Sequence, residues 1–259
     1  MAGDAQACYD QLAADYHLIF EDWEASMLRQ AAALGPLLER ECGSPRVLRV
    51  LDCACGIGTQ ALGLAQRGHR ITGCDLSPAA VERARLEARR RGLEMSLQAA
   101  DMRDLSPVGE GDFDAVVCLD NSLPHLEEQD LMGAATQVRE KLRPGGTFVA
   151  SLRDYDRLIV ERPAVQGPAF YRDAGRRRIV HQVWDWIDSR RYVFHLYLTR
   201  ETADGWESHH YASTYQAILR KELTKVLVDA GFGGVSWRMP EESGFYQPLV
   251  LARRTETGV

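Results

Sequence analysis

The spacing of apolar residues changes along the chain, and each change predicts a different kind of structure. Residues 9–42 read as helical, with Ser26 to Leu38 carrying apolar residues at helical spacing. Gly35-Pro36 falls inside that pattern and leaves open whether the helix breaks there. From residue 47 to 150, short apolar runs alternate with helical patterns. Val47 to Leu51, Arg70 to Cys74 and Asp112 to Leu119 predict strands, and Gln98 to Met102 predicts a further strand and its exit. Gln60 to Arg67, Val81 to Arg91 and Glu127 to Lys141 predict the helices between them. This alternation is the signature of a parallel α/β sheet whose strands are covered on both faces.

After Arg153 the period falls to two. Arg178 to Ile187, Tyr192 to Arg200 and Trp206 to Tyr215 are alternating, aromatic-rich runs. Ser189-Arg190 and Ala203-Asp204-Gly205 supply turn chemistry between them. They predict three antiparallel strands inserted into the α/β frame. Ile218 to Ala230 returns to helix and stops at Gly231. Val235 to Met239 and Gln247 to Arg253 predict a final strand pair.

Composition narrows the function classes. A chain of 259 residues with 45% hydrophobic and 26% charged content can bury an ordinary globular core. The net charge of −6 argues against nucleic acid as the main partner, because phosphates need a basic surface. Arg83, Arg85, Arg89, Arg90 and Arg91 are interleaved with Glu82 and Glu87, as on a solvated helix face. The absence of any apolar run near 18 residues predicts a cytoplasmic protein with no membrane partner. Cys53-x-Cys55 lacks a second ligand pair at zinc spacing, so no metal is expected and the cysteines read as buried thiols.

The most informative segment follows the first strand: Asp52-Cys53-Ala54-Cys55-Gly56-Ile57-Gly58-Thr59. Glycines between a strand and a helix let the backbone approach a nucleotide closely. Gly56-x-Gly58-x-x-Ala61 fits the dinucleotide pattern, which alone is weak. Asp52-x-Ala54-x-Gly56-x-Gly58-Thr59 resembles motif I of the Rossmann-like S-adenosylmethionine (SAM) methyltransferases. Asp75 ends the second strand, where an acid accepts ribose hydroxyls in either class.

Three further segments separate the two. Gln98-Ala99-Ala100-Asp101-Met102 resembles the methyltransferase site where an acid meets the adenine amino group. Asp112-Phe113-Asp114 resembles the triplet that introduces that family's fourth strand. Arg143-Pro144-Gly145-Gly146 resembles the turn that opens its fifth. The resemblance implies an α/β, Rossmann-like SAM-methyltransferase fold: a mostly parallel seven-stranded sheet with an antiparallel β insertion after strand five. The implied cofactor is SAM, leaving as S-adenosylhomocysteine. An NAD-binding oxidoreductase and a SAM-binding module without catalysis stand as the alternatives.

Leu119-Asp120-Asn121-Ser122-Leu123-Pro124-His125-Leu126 resembles the L-G-N-S-x-x-H-L segment of glycine N-methyltransferases and glycine/sarcosine N-methyltransferases. Ser151-Leu152-Arg153-Asp154-Tyr155-Asp156 resembles that family's R-N-Y-D segment. Tyr9-Asp10-x-Leu12-Ala13-x-x-Tyr16, Trp23 and Arg29 resemble its lid. The resemblance divides the chain into a helical lid (1–45), a SAM-binding core (46–153), a β insertion over the acceptor site (154–216) and a C-terminal helix and strand pair (217–259).

The same resemblance implies roles. Arg29 pairs with the SAM carboxylate, and Tyr9 lines the sulfonium end. Ala54 and Gly56 supply backbone contacts, and Leu119 sits near the methionine part. Asp75, with Leu76 beside it, takes the ribose, while Asp101 and Met102 bracket adenine. Asn121 and Arg153 hold a small-molecule acceptor, and His125 or a tyrosine relays its proton. Arg153 on an acceptor carboxylate has its own chemical reason, since a guanidinium fork matches a carboxylate bidentately. Other uses stay open: Asn121 as a helix cap, His125 as a structural histidine, Arg153 paired with Asp154 or Asp156. Asp120 departs from the family glycine, and Phe20 or Trp23 replaces the second lid aromatic. A small amino acid such as glycine or sarcosine is the expected acceptor, another small amine, carboxylate or hydroxyl the alternative. A homo-oligomer remains an open option.

Overall fold

The computed structural model describes residues 2–43, 47–109 and 111–255. Two helices lead into the sheet, α1 (Ala2–Leu12) and α2 (Trp23–Glu41), joined through a 3-10 turn at Tyr16–Ile19. α2 begins where the Asp22 side chain accepts the Ala25 N–H at 2.9 Å, satisfying one of the helix's orphan donors. It continues through Gly35-Pro36 without a break. Gly35 packs against the Arg67 side chain, which a Cβ would displace. The boundary expected at 45/46 lies outside the described residues.

The apolar runs become β1 (Arg49–Asp52), β2 (Arg70–Asp75), β3 (Ser96–Ala99), β4 (Phe113–Cys118) and β5 (Leu142–Ser151), all parallel. Helices α3 (Thr59–Gln66), α4 (Pro78–Arg90) and α5 (Glu128–Lys141) link them. Ser77 caps α4, accepting the Ala80 N–H at 3.1 Å, with Pro78 at the first turn as its fixed φ favours. Every residue of β4 is buried because helices cover both faces. Leu131 and Val138 of α5 lie in the core layer of one face; Leu34, Leu38, Leu64 and Val81 from α2, α3 and α4 lie in that of the other.

A helix α6 (Tyr155–Glu161) leads into a separate antiparallel sheet: β6 (Val165–Asp173), β7 (Arg176–Trp186), β8 (Arg191–Glu201) and β9 (Trp206–Gln216). Three strands were expected here and four are present. The extra one, β6, is an edge strand with mostly exposed side chains, so it carries no buried alternation. Its ladder shifts register around Gly167-Pro168, where the proline has no N–H to donate.

The chain returns through α7 (Arg220–Asp229), β10 (Phe232–Arg238), a short α8 (Pro240–Ser243) and β11 (Leu249–Arg254). The seven-stranded order is β10-β11-β5-β4-β1-β2-β3, with β11 antiparallel to both neighbours. This is the Rossmann-like α/β fold with a second antiparallel sheet after strand five.

The N-terminal segment binds the two sheets together. Cys8 and Leu12 of α1 pack into the apolar face formed by Trp184, Phe194, Leu196 and Tyr215. Asp10 Oδ1 accepts from Ser77 Oγ at 2.6 Å and from the Ala79 N–H at 3.2 Å, fixing α1 to the start of α4. The buried Arg178 of β7 pairs with Asp173 and donates to the carbonyls of Leu18 and Phe20, holding the 3-10 turn down. Among the described residues, no helix is long and apolar enough to cross a membrane.

Candidate active site

β1 and β4 are neighbours, yet the chain leaves β1 toward β2 and reaches β4 only later. Such a switch point opens a crevice beyond the carboxyl ends of the strands. A cavity of about 490 Å³ occupies it. Its walls come from the ends of four strands: Ala54 and Gly56 after β1, Asp75 and Leu76 at β2, Asp101 and Met102 after β3, Leu119 and Asp120 after β4.

The glycine turn is shaped by Asp75. Gly56 has φ +52°, and its N–H donates to Asp75 Oδ2 at 2.8 Å. Asp75 Oδ1 accepts the Ser77 N–H at 2.9 Å. A Cβ on Gly56 would meet nothing within 4 Å, so the backbone there stays open to a ligand. Burial pushes the Asp75 carboxyl above its ordinary value, and the two N–H bonds pull against that rise. Each carboxylate oxygen keeps acceptor capacity after one N–H bond, which leaves room for two ribose hydroxyls. Leu76 and Met102 offer apolar surface to a base. Asp101 is held by Arg103, its Oδ2 accepting from Nη2 at 2.5 Å. Burial works to raise the Asp101 carboxyl, but the Arg103 contacts overcome it and the value falls below the usual one.

A second cavity of about 540 Å³ adjoins the first and shares Tyr9, Tyr16 and Asp120 with it. Arg153 lines this outer chamber. Its guanidinium carbon lies 4.7 Å from the centre of the Trp184 ring, 5.1 Å from Phe194 and 5.3 Å from Tyr215. Its Nη1 donates to Tyr192 Oη at 2.9 Å. Asp154 and Asp156, the partners left open by the sequence, are taken by Arg220 at 2.6 and 3.4 Å. Among the described residues, no carboxylate pairs with Arg153.

At the junction, Tyr9 Oη lies 3.0 Å from His125 Nε2 and 3.1 Å from Tyr215 Oη. Burial, aided by the Arg153 charge, pushes the His125 imidazole down to about 4, so it is neutral near pH 7. Asp120 sits beside this group. Its Oδ2 accepts from Tyr16 Oη at 2.6 Å, and its Oδ1 accepts from Tyr246 Oη.

The structure therefore brings Tyr9, Ala54, Gly56, Asp75, Leu76, Asp101, Met102, Leu119 and His125 to the inner chamber and Arg153 to the outer one. Two expected residues are elsewhere. Arg29 lies on the exposed face of α2 and does not line the cavity. Its neighbour Gln30 is buried instead, and its Oε1 accepts at 2.8 Å from Gln60, which lines the cavity. Asn121 is 2% exposed and lines neither chamber. Its Nδ2 donates to Tyr155 Oη at 3.0 Å and its Oδ1 accepts the Arg153 N–H at 3.0 Å. Asn121 thus positions Arg153 rather than facing an acceptor.

Trp184, Phe194 and Tyr215 also line the outer chamber. Their alternation in β7, β8 and β9 marks one face, but no sequence signal says what that face covers. Tyr211 of the same sheet lines neither chamber and donates to Asp15 Oδ2 at 2.8 Å. Of the two lid aromatics, Phe20 lines the outer chamber, and Trp23 Nε1 donates to Thr59 Oγ1 at 2.9 Å.

Residues 50–146 match the family model for the methyltransferase domain. A glycine/sarcosine N-methyltransferase of Parasynechococcus marenigrum is 34% identical over 146 residues, 56% of this chain and 50% of that one. A ubiquinone biosynthesis O-methyltransferase of Alkalilimnicola ehrlichii is 37% identical over 103 residues, 40% of each chain. The chain thus spans about half the length, or less, of these curated relatives. The SAM-bound amino pentose methyltransferase of Micromonospora echinaspora superposes with a TM-score of 0.71 at 24% identity, over 89% of this chain and 92% of that one. The fold, the domain match and the geometry of the inner chamber agree: residues 50–146 form a methyltransferase domain of the Rossmann-like, SAM-binding class, in a chain that resembles the glycine/sarcosine N-methyltransferases.

Proposed function

We propose that the chain transfers a methyl group from SAM to the nitrogen of a small amino acid, glycine or sarcosine first. The observation that carries this reading is Arg153. A guanidinium boxed by three aromatic rings, with no carboxylate partner among the described residues, faces the chamber next to the cofactor cavity. A partly buried cation without an anionic partner carries a desolvation cost, and an acceptor carboxylate would relieve that cost bidentately.

SAM supplies an electrophilic methyl on sulfur, so little covalent help is needed. The chain's work is alignment, exclusion of water and care of one proton. The acceptor must present a free lone pair, so it binds neutral or sheds a proton in the site. With the proton of neutral His125 on Nδ1, Nε2 accepts from Tyr9 Oη, and the phenol oxygen keeps acceptor capacity at the junction. An acceptor N–H donating to Tyr9 Oη would be held with its lone pair toward the inner chamber. α1, tied down through Asp10, covers this junction as a lid.

A second reading is favoured by size. Glycine has five heavy atoms and would occupy a small part of the roughly 540 Å³ outer chamber. A larger amine bearing an anionic group, such as an amino sugar nucleotide, would fill more of it. The test is direct: incubate the protein with labelled SAM and, separately, glycine, sarcosine, methylamine and an amino sugar nucleotide, then identify products by mass. Methylation of glycine or sarcosine supports the first reading. Methylation of the amino sugar alone hands the function to the second.

A further inference from the structure

Asp120 is the residue that the reaction sketched above does not use. It follows β4 at the point where the two chambers meet, and it lines both. Its backbone has φ +57°, a region in which glycine is at ease and a residue with a Cβ is strained. Asp and Asn are the side chains that tolerate it best, yet they still carry a cost. The loop is held firmly: the Asp120 N–H donates to Ser151 Oγ at 2.7 Å, and Ser151 Oγ donates to Gln247 Oε1 at 2.8 Å.

Its carboxylate is solvated only by neutral donors. Tyr16 and Tyr246 each give one phenolic hydrogen bond, one to each oxygen. Among the described residues, no cation pairs with it. Arg153, across the same outer chamber, has no anionic partner among them either. The other charged groups of that chamber are spoken for or peripheral. Asp154 pairs with Arg220 at 2.6 Å, Arg157 with Glu161 at 3.4 Å, and Glu241 is exposed at the rim. One cavity therefore carries one free negative and one free positive charge, each set in aromatic surroundings. Each is expensive to desolvate alone. A ligand with a cationic nitrogen at one end and a carboxylate at the other neutralises both.

We infer that Asp120 is the specificity-determining anchor for a protonated amine, so that acceptors enter as zwitterions spanning Asp120 and Arg153. The inference rests on the amino-acid reading above and deepens it. Arg153 takes the carboxylate, and Asp120 draws the ammonium to the mouth of the inner chamber, beside Tyr9. The aromatic rings around Arg153 and the phenols on Asp120 partly shield both charges from solvent, which strengthens their pairing with a bound zwitterion. An amine without a carboxylate, or a carboxylate without an amine, leaves one charge unpaired.

The test separates charge from shape. Betaine carries a permanent cation and a carboxylate; 3,3-dimethylbutanoate has the same outline with a neutral carbon in place of nitrogen. Their affinities are measured by calorimetry on the full chain saturated with S-adenosylhomocysteine. The wild type should bind betaine at least about tenfold more tightly, the scale of a desolvated charge pair. Asp120→Asn should shrink that preference to about threefold or less. Asp120→Gly, which relaxes the backbone, should do the same while melting no lower than wild type. Equal affinity of the wild type for the two ligands would overturn the role of Asp120 while leaving the carboxylate clamp standing. Binding of neither ligand would overturn the inference and the amino-acid reading together. Preference retained in both variants would place the cation elsewhere in the chamber.

Discussion

The Tyr9 hydroxyl lies 3.0 Å from His125 Nε2, joining the N-terminal helix to the loop after the fourth strand across 116 residues of sequence. The contact closes the wall between the two chambers and fixes the histidine's ring, which also stands 4.3 Å from the Tyr215 ring centre. Replacing Tyr9 by Phe removes the hydroxyl and keeps the ring. Turnover should fall by about 100-fold, the lower range for a positioned proton-handling group, with the SAM dissociation constant little changed. Steady-state kinetics and calorimetry on the one variant check both halves. Wild-type turnover would reduce the contact to packing.

His125 also makes stability depend on pH. Its folded value is pushed down to about 4 from an ordinary 6.5. Between those values the unfolded chain binds a proton that the folded chain does not. Stability from this group is therefore full above about pH 6.5 and lost as pH falls toward about 4. The loss should be on the order of 2–3 kcal/mol. Urea unfolding at pH 7 and pH 4.5 should show a smaller difference for His125→Asn than for the wild type.

Asp75 does two jobs, and two substitutions separate them. Asp75→Ala removes the acceptors for the Gly56 and Ser77 N–H groups as well as the ribose contact. It should weaken SAM binding by about 1.5–3 kcal/mol and lower the melting temperature. Asp75→Asn retains one carbonyl acceptor and should fall between Asp75→Ala and wild type in SAM affinity. Unchanged SAM affinity in a folded Asp75→Ala chain would remove the ribose assignment.

Arg153→Lys tests the carboxylate clamp. A point ammonium cannot reproduce a bidentate fork stacked among Trp184, Phe194 and Tyr215. The catalytic efficiency on glycine or sarcosine should drop by about 100-fold or more, with SAM affinity unchanged. A wild type that methylates methylamine as well as glycine would contradict the clamp before any variant is made.

Arg29→Ala should leave SAM binding within about 0.5 kcal/mol of wild type, as an exposed helix residue away from the cavity does. A larger loss, measured by calorimetry, would mean that α2 turns Arg29 inward when the cofactor binds.

What the sequence determined by itself was the parallel sheet and the inner chamber. β1, β2 and β4 carry short apolar stretches because helices cover both faces, and that burial is written locally as composition. Gly56 and Asp75 lie at the ends of adjacent strands, so strand spacing alone brings them together. Only the tertiary structure decided the outer chamber. Its members come from α1 and the 3-10 turn, the loops after β4 and β5, α6, all four insertion strands and the segment before β11, and long-range packing sets their facing. Asn121 and Arg29 show the limit most plainly. A short motif specifies the residue, but the local backbone turn specifies its direction. At φ +65° the Asn121 amide points into the Tyr155 and Arg153 network, and one helical position places Gln30 inward and Arg29 in solvent. The placement of Asp120 and Arg153 on one chamber is likewise set by the assembled fold, because the loops that carry them follow β4 and β5, which are neighbours in the sheet.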